Sequence, residues 1–168
     1  MDTGPLSPEN YTAEAVARLL HLEPLEHEGG FYRRTAESDF ILPGTGRRAY
    51  SIIYYLLTPS GFSALHKLGT DATWCFHAGD PIESFRISPD GTGKMVRLGL
   101  DVQDGAVLLD VIPAHTWQGT RLMPGGRWAV VSCYVAPEFR WSDFTLGDCD
   151  VLTKEYPAHA KEIRSLIR

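Results

Sequence analysis

Between residues 29 and 135 the chain is a succession of short runs rich in β-branched and aromatic residues. Gly, Pro, Asp and Ser cut it at near-even intervals, and no helical pattern intervenes. The runs fall near 31–36, 50–57, 62–67, 73–78, 82–88, 94–98, 107–111, 116–121 and 128–135. The breaks carry turn chemistry: Pro59-Ser60-Gly61, Gly79-Asp80-Pro81, Pro89-Asp90-Gly91, Asp104-Gly105 and Pro124-Gly125-Gly126. These residues supply the fixed or positive φ that a reversal needs, so strands this short and this closely joined pair antiparallel. The pattern predicts an all-β sandwich or barrel.

Helical spacing is confined to the ends. Ala13, Val16, Ala17, Leu19 and Leu20 recur at intervals of three and four, with Thr12 as N-cap, Glu14 in the first turn and Pro24 as the stop. Residues 158–167 place Ile163, Leu166 and Ile167 on one helical face. The polar, Pro-bearing residues 1–10 read as a flexible tail, and residues 11–168 as a single domain with its barrel at about 29–146.

Several functions are disfavoured at this level. The longest apolar run, residues 52–57, is far shorter than the roughly 20 residues a bilayer requires, and no basic-then-apolar leader opens the chain. No membrane association is therefore expected. A net charge of -5 argues against nucleic acid as a partner, although Arg33, Arg34, Arg47 and Arg48 lie close in sequence. Three cysteines, Cys75, Cys133 and Cys149, form no C-x-x-C pair and no disulfide framework, which points to the cytoplasm.

Some segments carry more than a fold class. Residues 62–81 read FSALHKLGTDATWCFHAGDP and residues 111–120 read VIPAHTWQGT. HEGGFYRRT at 27–35, SIIYYLL at 51–57 and VAPEFRWSDFTL at 135–146 accompany them. Together they resemble the small cupin family called cupin-5, a domain of unknown function, over most of the chain. The resemblance implies a cupin double-stranded β-helix, or jelly-roll barrel, with short helices at both ends, and commonly a homodimer.

Cupins usually hold a divalent metal inside the barrel on three His and one Glu. The resemblance puts these ligand positions at His66, Leu68, Ala72 and Gln118, so only one strong ligand and one weak neutral one remain. Asp71 adjoins the lost Glu but alternation turns it to the opposite face unless a bulge intervenes. The expectation is a site without metal or other cofactor, with a divalent ion on His66 and Gln118 as the weaker alternative.

Without a metal, His66 becomes the candidate general acid or base, against a structural histidine in the barrel wall. Gln118, which can donate and accept, and His77 complete the candidate catalytic set. Alternation places Trp74 and Phe76 inward and Cys75 and His77 outward. Trp74 and Phe76 are pocket wall or core, and Cys75 reads as a small buried hydrophobe. Tyr32, Tyr54 and Tyr134 offer phenols for substrate binding, and His115 stands at the turn position where the second cupin motif has Gly. Arg34 replaces an acidic residue of the resembling pattern EGG-x-Y-x-E-T. Facing the cavity, it would favour an anionic or carbonyl-bearing small molecule.

These readings combine into a small-metabolite enzyme using metal-independent acid–base catalysis, of epimerase, isomerase, cyclase or dehydratase type, in a specialised biosynthetic setting. A metal-dependent cupin dioxygenase or lyase is one alternative, and a non-catalytic small-molecule-binding cupin is the other.

Overall fold

The computed structural model describes residues 4–168. Its strands are β1 (Glu23–Pro24), β2 (Phe31–Glu37), β3 (Ile41–Leu42), β4 (Arg47–Arg48), β5 (Ser51–Leu57), β6 (Ser63–Leu68), β7 (Asp71–Gly79), β8 (Ile82–Ile87), β9 (Gly93–Leu98), β10 (Leu109–Ile112), β11 (Trp117–Leu122), β12 (Ala129–Ala136) and β13 (Phe144–Leu146). Each run expected from the sequence is a strand, with ends displaced by no more than one or two residues. The small pairs β1, β3–β4 and β13 carry too few residues to show an alternation, and the sequence reading does not contain them.

Two antiparallel sheets face each other. One has the order β1-β2-β5-β12-β7-β10, the other β13-β6-β11-β8-β9, while β3 and β4 form a separate hairpin. This is the all-β class that the strand pattern predicts, in the double-sheet jelly-roll form that the cupin resemblance implies. Between the sheets lies an apolar core that includes Tyr55, Leu57, Trp74, Phe76, Val131 and Leu122.

The helices cap the outer surfaces. Helix α1 (Ala13–Leu19) starts at Thr12, whose hydroxyl accepts from Ala15 N at 3.2 Å. It ends before Pro24 because His21 adopts φ 53° and Leu22 N donates to Ala17 O, closing the last turn. Val16 packs on Leu56, Trp128 and Val130, covering one end of the outer face of the six-stranded sheet. At the other terminus α2 (Cys149–Glu155) and α3 (Ala160–Ser165) bury Leu152, Ile163 and Leu166 against Leu65, Phe85 and Trp117 of the five-stranded sheet. The expected helix at 158–167 is thus the shorter α3, preceded by a turn at Pro157–His159 and by α2, which Asp148 caps.

Of the tail expected over residues 1–10, residues 1–3 lie outside the described residues. Residues 4–10 run in bends and turns, with Leu6 packed beside α1 and Glu9 paired with Arg127 at 2.6 Å.

Candidate functional site

Strand register decides which side chains meet inside the barrel. In the five-stranded sheet Gln118 pairs with His66 on one side and with Arg86 on the other. Side chains in register share a face, so His66, Gln118 and Arg86 form one row across β6, β11 and β8. In the facing sheet Arg34, Ile53, Cys133, Trp74 and Asp110 form the matching row across five strands.

Ser63 belongs to the same interior surface only because β6 is irregular. Residues three apart on a strand normally face opposite ways. Here the register against β11 shifts between Gln118 and Thr120, which pair with His66 and Ser63, so Ala64 and Leu65 stand opposite Gly119 alone. This bulge turns Ser63 and His66 to one side. It also leaves the Ala64 carbonyl beside the imidazole, 2.8 Å from His66 Nδ1. A carbonyl only accepts, so Nδ1 carries the proton and Nε2 of the neutral ring holds the free lone pair. Phe144 stacks on the ring at 5.0 Å and fixes its plane.

A side chain absent from the sequence reading completes this end of the barrel. Glu28 accepts a hydrogen bond from Ser63 Oγ at 2.5 Å and lies 3.9 Å from His66 Nδ1, its own side chain only 14% exposed. Its loop is tied down by Ala64 N donating to Glu28 O at 2.9 Å and by the Tyr55 hydroxyl donating to Gly29 O at 2.5 Å. Gly30, at φ 68°, permits that approach, since a Cβ there would stand 2.9 Å from the phenol oxygen. Burial, with the nearby Glu28 charge, pushes the Tyr55 phenol well above its ordinary range, so it stays a donor.

His66, Gln118, Glu28 and Tyr55 line a cavity of about 120 Å³. By burial, His66, Gln118, Glu28, Trp74 and Cys133 form its inner end, and the half-buried Tyr32 and Phe139 with the exposed Arg34 and Trp141 its mouth. Burial raises the Cys133 thiol, so it is no thiolate nucleophile. Arg34 faces in from an outer strand with 44% of its side chain exposed, paired to Glu37 at 3.1 Å. Trp141 is 53% exposed at the rim. The segment carrying Phe139 and Trp141 is held by Arg47, which pairs with Asp143 at 2.5 Å and donates to the Glu138 carbonyl.

The candidates therefore separate. The structure brings His66, Gln118, Arg34, Tyr32 and Trp74 together around the cavity. Phe76 faces inward but belongs to the core beyond it. Tyr54, His77 and Tyr134 lie on the outer face of the six-stranded sheet, outside the cavity, because alternation along β5, β7 and β12 turns them away. There His77 Nε2 bonds Ser132 Oγ, Tyr54 meets the imidazole edge-on, and burial lowers the His77 pKa. His115 is exposed on the β10–β11 turn with φ 65°, the left-handed backbone for which the motif carries Gly. Asp71 faces outward and accepts from Ala114 N at 2.8 Å.

The donor set does not fit the usual cupin metal. Leu68 and Ala72 line the cavity where two of the ligands would stand, which leaves His66 Nε2 and the neutral Gln118 amide as the donors. Among the described residues no three His, Cys, Asp or Glu side chains converge to hold a metal ion.

Comparison with known proteins gives the family and the fold. Residues 14–147 match the family described as Cupin superfamily (DUF985). A protein from Shewanella oneidensis, SO0799, has a solved structure that superposes with a TM-score of 0.87 at 33% identity, covering 94% of this chain and 98% of that one. A hypothetical protein from Leishmania major gives 0.86 at 31% identity, covering 94% and 99%. The uncharacterized protein YML079W of Saccharomyces cerevisiae is 27% identical over 158 residues, 83% of this chain and 78% of its own length. Likeness to Bacillus subtilis oxalate decarboxylase, at 13% identity and a TM-score of 0.55, covers 98% of this chain but 41% of that one, and is one of fold alone.

Proposed function

The chain belongs to the DUF985 family of the cupin superfamily, and on that premise we propose that its barrel is the active site of a metal-independent acid–base enzyme acting on a small metabolite. The observation that carries the reading is His66: a buried imidazole with its tautomer set by Ala64 O and its basic Nε2 left to an enclosed cavity. The reaction class is proton transfer beside a carbonyl, as in epimerisation, isomerisation, cyclisation or dehydration. His66 Nε2 takes the proton from the carbon and the electron pair moves onto the carbonyl oxygen. Arg34 or the Gln118 amide stabilises that oxygen until the proton returns. Glu28, 3.9 Å from Nδ1, stabilises the transient imidazolium.

A homodimer follows from the same reading. Beyond α1 the outer face of the six-stranded sheet exposes Leu109 (54%), Val111 (51%) and Tyr134 (38%), a surface suited to a second copy. Among the described residues no helix is long and apolar enough to cross a membrane, and the cysteines are free. Both fit a cytoplasmic enzyme.

The test pairs metal analysis with a His66→Ala variant. Protein purified without chelator carries less than about a tenth of an equivalent of Fe, Mn, Zn or Ni. The variant keeps ligand binding and loses turnover of any substrate found by screening carbonyl metabolites. Stoichiometric metal that disappears with His66 overturns the metal-free reading, and turnover that survives the substitution overturns the role of His66.

A further inference from the structure

The polar groups of the cavity are arranged to read one functional group, a hydroxyl, and the geometry points to a small α-hydroxy acid or α-hydroxy carbonyl compound as the ligand. The inference rests on this cavity being the substrate site. Gln118 is 2% exposed, lines the cavity, and its buried Oε1 has no hydrogen-bond partner. A buried amide oxygen left unpaired is costly, and sites built around such groups discriminate strongly for the ligand that pairs them. Beside it in register stands His66, whose Nε2 accepts. Glu28 adds a carboxylate, which accepts from Ser63.

These neighbours narrow the chemistry. A carbonyl or carboxylate at the inner end would accept from the Gln118 amide nitrogen, yet it has no proton to give the His66 lone pair, the Glu28 carboxylate or the Gln118 oxygen, which would stay unpaired. A hydroxyl donates to His66 Nε2 or to Gln118 Oε1 and accepts from the Gln118 amide nitrogen, so it satisfies the amide in either orientation. The opposite polarity stands at the mouth. Arg34 has a single carboxylate partner, Glu37, and its fork of donors suits a carboxylate or carbonyl oxygen. A cavity of about 120 Å³ between these two ends takes a compound of few heavy atoms, with Trp74 and Tyr32 along its sides. Hydroxyl inward and acid outward is the order the residues impose.

The test is ligand-detected NMR on the wild-type protein with matched pairs: lactate against propionate, and lactamide against propionamide. The hydroxylated member of each pair binds about tenfold tighter or more, and Gln118→Leu erases the difference. Lactate binds more tightly than lactamide, and Arg34→Gln narrows that preference. Equal binding within the pairs, or binding of neither member, overturns the inference. An unchanged acid preference in Arg34→Gln overturns the placing of the acid end. Should Gln118→Leu fail to fold, the wild-type pairs decide alone. A hydroxyl preference in a protein that turns over no substrate keeps this inference and removes the acid–base reading, so the two fail separately.

Discussion

Arg86 and Asp110 are in direct contact inside the barrel, where β8 of one sheet faces β10 of the other, and this pair sets up the sharpest stability test. The side chains are 8% and 14% exposed. Burial pushes the Arg86 guanidinium down to about 10, so it remains charged at neutral pH and needs its partner. Its Nη1 also donates to Val111 O at 3.2 Å. Arg86→Met removes one charge and leaves Asp110, largely buried, without its partner, which costs about 3–5 kcal/mol. For a domain of this size that is a fall in Tm of about 6–20 °C. The double variant Arg86→Met/Asp110→Leu removes both charges and recovers most of the loss, because a buried pair replaced by apolar side chains is often neutral. Urea and thermal unfolding of the four proteins close the double-mutant cycle. A single-variant cost below about 1 kcal/mol would show a pair as weak as one on the surface and refute the argument. So would a double variant as unstable as Arg86→Met alone.

Two further expectations come from histidines outside the cavity. Burial lowers the His77 pKa below 6.5, so the folded protein binds a proton there less readily than the unfolded chain. Stability present above that range is lost as pH falls through 6.5, and His77→Gln makes unfolding between pH 8 and pH 5 less pH-dependent; an unchanged dependence counts against the assignment. His115, exposed at φ 65°, pays for a left-handed backbone that glycine adopts freely. His115→Gly therefore raises stability by about 0.5 kcal/mol after the entropy of the unfolded glycine is subtracted, read as a small rise in Tm, and a fall would show that the imidazole has a structural partner.

Much of this architecture is legible in the sequence because strands announce themselves by alternation and turn residues. The inward set of Trp74 and Phe76 and the outward set of Cys75 and His77 follow from parity alone. What parity cannot supply is the irregular part. Ser63 and His66 share a face only through a bulge, and nothing in SALHKL marks one. Glu28 sits in a loop, where no periodicity shows which way a side chain points. The signal available was its place in HEGG, ahead of two glycines that the chain needs for close approach. Arg86 and Asp110 are distant in sequence, and their pairing depends on how two sheets are stacked.

The bond from His66 to Ala64 has a consequence for how this pocket changes over time. A catalytic histidine is commonly oriented by a second side chain, so drift at that partner also disorients the base. Here Phe144 fixes the ring plane, but the tautomer is set by a main-chain oxygen two residues away, which no substitution deletes. On the role proposed for His66, Ile53, Leu68, Ala72 and Val135 around the cavity are then free to be exchanged for residues that fit another ligand, while the imidazole keeps its tautomer. Selection, or a designer, acting on those four positions would be changing what the pocket accepts without having to rebuild what it does.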